Sequence, residues 1–160
     1  MTRHPPPLAI LLGLGGLIPF AACGIGALAL AGSEASSALH ALIAYGATIL
    51  AFLGGVHWGF ALSDGSNQTS QLLRGRLVLG VVPSLIGWTA LLATFVGLSN
   101  VGLSILLAGF VATIVVETRA SRGGLMPAGY IGLRWMLTAG AVLCLGSVLL
   151  ARLLGVDVLI

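Results

Sequence analysis

Five long apolar runs, separated by short polar breaks, organise this chain. Met1 to Pro7 is a polar start whose prolines block a helix before Pro7. Leu8 to Ala31 is then unbroken apolar sequence, about 36 Å long as a helix against a hydrocarbon core of about 30 Å. Ala38 to Leu62, Leu77 to Leu98, Val101 to Val116 and Ile131 to about Leu154 follow as the second to fifth runs. The fourth run is short, and Glu117 and Thr118 are expected to extend it at the interface. Each run predicts one membrane-spanning helix.

The breaks are polar and turn-like. Gly32 to Ser37 predicts a short turn holding Glu34, and Ser63 to Gly75 the longest loop, with Asp64 and Arg74. Ser99-Asn100 predicts a minimal turn, which makes spans three and four antiparallel neighbours. Glu117 to Tyr130 predicts a second polar loop with Arg119, Arg122 and Pro127. The expected fold is an all-α integral membrane protein, a five-transmembrane-helix bundle forming a single membrane domain over residues 1–160. A signal peptide competes for the first run, because Arg3 precedes it and Ala29-Leu30-Ala31 resembles a cleavage site. Signal h-regions reach only about 7–15 residues, which favours a retained helix.

Composition agrees and orients the chain. Charged residues make up 7% and mean hydropathy is +1.13, whereas soluble domains carry about 25% charged residues. A water-soluble reading is excluded. The net charge of +3 is too small, and too confined to loops, to suggest nucleic acid. All seven basic residues are arginines. Span alternation puts Arg3, Arg74, Arg76, Arg119, Arg122 and Arg134 on one side and Arg152 on the other. By the positive-inside rule the N-terminus is expected in the cytoplasm and the C-terminus in the periplasm of a bacterial inner (plasma) membrane. In a eukaryote the corresponding expectation is the mitochondrial inner membrane, with the matrix inside.

Ionisable groups within spans are the first functional candidates, since their charged forms are disfavoured there. His57 lies about two turns above the inner end of the second span, on one helical line with Asp64. Beside it runs a track of small residues, Ala47, Ala51, Gly55 and Gly59 with Gly54, of the kind that admits close helix packing. Pro83 interrupts the third span and frees a carbonyl one turn earlier, an acceptor that His57 or Trp88 could engage. Glu117 and Arg134 flank the same inner loop and form the most plausible ion pair, the alternative being that each points independently into headgroups and water. Trp58, Tyr130 and Trp135 fall near the inner interface, where aromatic belts are expected anyway.

Other chemistry has little support in the residues. Cys23 and Cys144 read as small apolar packing residues, and neither has metal-like spacing. No metal site is expected, because the chain supplies no recognisable ligand spacing. Haem ligation through His57 is disfavoured, since His4 is in the tail and His40 at the opposite face. Gly13-Leu-Gly-Gly16 sits inside an apolar run and is no dinucleotide fingerprint.

Several segments together resemble the DUF3429 family of small membrane proteins. They are Leu12 to Phe20, Tyr45 to Gly59, Pro83 to Trp88 and Pro127 to Thr138, with Phe-Leu-Gly-Gly-Val-His-Trp-Gly the most specific. The resemblance touches spans one, two, three and five. Its last motif more often has an aromatic pair after the proline, where this chain has Ala128 and Gly129. The acidic position closing span four is often aspartate in the family and is Glu117 here. The resemblance implies a multi-span inner-membrane protein and assigns no activity.

The preferred functional reading is a non-enzymatic accessory, assembly or ligand-binding factor. It would bind another membrane protein or a lipophilic small molecule at an inner-leaflet site lined by His57, Trp58, Pro83, Glu117, Tyr130 and Arg134. No cofactor is specified. The alternatives are a small permease or proton-coupled carrier acting as an oligomer, and an enzyme on a lipid or isoprenoid substrate.

Overall fold

In the computed structural model, residues 6–63, 70–122 and 128–155 are described. They form helices α1 (Pro7–Gly15), α2 (Ile18–Ala29), α3 (Gly32–Ser63), α4 (Ser70–Phe95), α5 (Ser99–Arg122) and α6 (Ala128–Leu153). The protein is all-α, and five helical segments are long and apolar enough to cross a membrane. Many large apolar side chains face outward along them, among them Leu11, Leu62, Phe95 and Leu143. Apolar surface on this scale suits a lipid surround.

The first span departs from the expected single helix. Gly16 and Leu17 form a turn between α1 and α2. Pro19 explains the break: it sits in the first turn of α2, where its missing N–H is harmless, and cannot donate back to Gly15. Other boundaries also moved, and α6 opens at Ala128 rather than Ile131. Gly32 to Ser37 is the first turn of α3 rather than a loop, with Glu34 placed well for the helix dipole. Ser70 to Gly75, expected as loop, opens α4, and α5 continues to Arg122. Polar residues beyond the hydrocarbon can stay helical because headgroups and water solvate their side chains.

The turn expected at Ser99-Asn100 lies slightly earlier. Leu98 N–H donates to Ala93 O at 2.8 Å and Gly97 N–H to Thr94 O at 3.0 Å, the paired bonds of a Schellman C-cap. Gly97 takes the left-handed residue with φ +83°, leaving Ser99 and Asn100 to start α5. Spans three and four are antiparallel neighbours as expected, with Gly102 packed on Ala90 and Thr94.

The chain divides into two compact units. One comprises residues 1–42 and 110–160. In it α1 and α2 lie along α6, through Gly13 against Leu137, Leu17 against Gly140 and Gly24 against Cys144 and Val148. Phe20 and Phe110 pack edge-to-face at 5.9 Å, a favoured aromatic geometry. The other unit, residues 43–109, packs the remainder of α3 with α4 and the start of α5. Gly46 meets Leu106, Gly87 meets Ala47, and Gly109 meets Ile86 and Leu50.

Candidate functional site

In the first unit, α5 and α6 carry a buried ion pair. Arg134 donates from Nε to Glu117 Oε2 at 2.9 Å and from Nη2 to Oε1 at 3.3 Å. Glu117 is 0% exposed and Arg134 6%. The fork-to-carboxylate geometry places two donors on two acceptors, the strongest arrangement open to these groups. Each charge neutralises the other where water cannot. The alternative of two independent side chains in headgroups is thereby overturned.

One residue further along both helices comes a second contact. Trp135 Nε1–H donates to Thr118 Oγ1 at 3.0 Å, while Thr118 donates to Ile114 O at 2.7 Å. Sequence reading had given Trp135 only to the aromatic belt. Its ring is half exposed, so it serves the interface and the helix contact together. Tyr130, one turn before Arg134, is half-buried and lies within the field of both Glu117 and Arg134. One turn deeper on the same faces stand Thr113 and Thr138, both buried. Glu117, Tyr130 and Arg134 are thus brought together, and the threonines extend their cluster inward.

In the second unit, His57 is 3% exposed and is not free of partners. It shares the buried face of α3 with Leu50, Leu53, Gly54 and Ala61. Asp64, expected on the same line, lies outside the described residues. Trp58 points differently: it is 44% exposed and its Nε1–H donates to Leu77 O at 3.1 Å. The indole lies directly over Gly80, where a Cβ would collide with it, and a Cβ on Gly54 would collide with the Gly80 carbonyl. Two glycines therefore let the α3 and α4 backbones meet. Pro83 is buried within an uninterrupted α4. Trp88, offered as a partner for the proline-freed carbonyl, instead faces outward.

The small-residue track needs correcting. Ala47 and Gly54 pack closely, but Ala51, Gly55 and Gly59 are exposed, with nothing near a Cβ at either glycine. Four-residue spacing overshoots the helical repeat by about 40° each step, so the track rotates off the contact face by about 120° over three steps. The seven-residue step from Ala47 to Gly54 stays in register. Sequence reading missed Gly80 and Leu77, whose only signal was their place just before Pro83. It also missed Thr118 and Thr138, one residue and one turn from the predicted pair.

Fold and residues define a multi-pass integral membrane protein with a buried charge pair between two spans. Residues 5–150 match the family described as "Protein of unknown function (DUF3429)", and the chain belongs to it. Transmembrane protein 69 of Xenopus tropicalis is 40% identical over 90 residues, which is 56% of this chain and 34% of that protein. Transmembrane protein 69 of Mus musculus is 36% identical over 87 residues, 54% of this chain and 34% of that protein. The match spans about a third of the length of these relatives. No solved structure matches.

Proposed function

We propose that this protein is a non-enzymatic membrane factor that binds a lipophilic molecule or another membrane protein through the polar cluster of Glu117, Tyr130 and Arg134. The buried ion pair carries the reading. Apolar replacement of such a pair is often neutral or stabilising, so stability alone gives little reason to keep one inside a span. Ionisable residues there mark functional sites by default. Both oxygens of the Glu117 carboxylate accept from Arg134, which suits a fixed recognition element better than a general base. His57, Trp58 and Pro83 are proposed separately, as a contact region of the second unit by itself, on the strength of a buried histidine in an apolar span. An inner-membrane setting with a cytoplasmic N-terminus belongs to the proposal too, supported by the arginine asymmetry.

The test is gentle solubilisation followed by unbiased mass spectrometry of copurifying proteins and lipids. The wild type is compared with E117L/R134M, which removes both charges together. A stoichiometric companion present with the wild type and lost from the double variant is the expected result. An identical set of companions with both proteins would contradict it.

A further inference from the structure

Serine and threonine hydroxyls in these helices commonly give their proton to a carbonyl four residues back. Thr48 does so to Ala44, Thr94 to Ala90, Ser104 to Asn100 and Thr118 to Ile114. Thr138 does not. Among the described residues its Oγ1 is the buried side-chain polar atom without a hydrogen-bond partner, in a residue only 4% exposed. It stands eight residues into the fifth span from Tyr130, about 12 Å along the helix. A buried hydroxyl left unmet at that depth is disfavoured, because neither water nor lipid tails replace the bond.

Thr138 lies one helical turn beyond Arg134 on the same face. The bonds to Glu117 use Nε–H and one Nη2 proton, out of the five N–H groups a guanidinium carries. Both Glu117 oxygens already accept from that guanidinium. Three N–H groups of that guanidinium remain beyond the two that Glu117 takes. A carbonyl oxygen, with two lone pairs and no proton, can accept from the Thr138 hydroxyl and from one of those N–H groups.

We infer that Thr138 and Arg134 form the polar end of a binding site for a carbonyl-bearing lipophilic molecule, the Thr138 hydroxyl donating to the carbonyl oxygen. The inference rests on the proposed function and narrows its ligand to a chemical class. An ester carbonyl of a bilayer lipid and a ring carbonyl of a quinone offer the same acceptor.

The test reconstitutes the full chain in nanodiscs of diether phosphatidylglycerol, whose chains carry no carbonyl. One arm adds diester phosphatidylglycerol, the other decylubiquinone, and native mass spectrometry counts what the protein retains. Wild type and T138S are expected to retain the carbonyl compound from one arm, which identifies the source. Retention should fall roughly tenfold in T138V, the size of one lost buried hydrogen bond. If wild type and T138V retain the same compound equally, this inference falls and the broader ligand reading stands. If the wild type prefers neither compound over the diether background, the carbonyl site is overturned, and copurification alone decides the proposed function.

Discussion

The α3–α4 contact and the α5–α6 contact each hold polar side chains inside a span, by opposite means. Between α3 and α4 the backbones meet over Gly54 and Gly80, and Trp58 lays its indole on the glycine surface to reach the Leu77 carbonyl. No formal charge takes part in that bond. Between α5 and α6 the contact is a charge pair with an indole-to-hydroxyl bond beside it. The first contact depends on the absence of atoms and the second on the balance of charges. They should therefore fail under different substitutions.

The largest effect is expected at the charge pair. E117A leaves Arg134 buried and alone, and is expected to destabilise the protein by about 3–5 kcal/mol. Unfolding in mixed micelles measures it. E117L/R134M, which removes both charges, should lose far less or gain stability. A double variant as unstable as E117A would show that packing, not charge, holds α5 to α6.

Next come the glycines. G54A drives a methyl into the Gly80 carbonyl and should cost about 1–3 kcal/mol, as overpacking commonly does. G55A, one residue on, has nothing near its new methyl and should be neutral or stabilising by up to about 1 kcal/mol, the helix preference of alanine over glycine. Equal effects from the two would break the distinction between the buried face of α3 and the rotated track. The smallest change is W58F, which keeps an aromatic ring but loses the bond to Leu77. About 0.6–1 kcal/mol is expected by the same unfolding assay.

Spans were legible because apolar runs of bilayer length have one common solution. The break in the first span was not, because a proline that can kink a helix can also open a new one. Pro19 did the second, while Pro83 stayed inside an unbroken α4. Glu117 and Arg134 were legible as a candidate pair because both flank one loop, but only side-chain geometry shows the fork. Trp58 and Trp135 read as belt residues because interfacial tryptophans are common whatever they contact. Thr138 closes one of the segments that carry the family resemblance, but nothing in the sequence marks its missing bond, because threonine is ordinary in membrane helices and the bond is a matter of rotamer and neighbours.

The most direct measurement exchanges the two charges. E117R/R134E keeps an ion pair between α5 and α6 while reversing its direction. Unfolding stability and copurifying material are then measured on the same preparation. A binding role for the pair predicts that the swapped protein stays folded and loses the companion of the wild type. A swapped protein that folds and keeps that companion at wild-type stoichiometry would contradict it, leaving the pair a structural clasp.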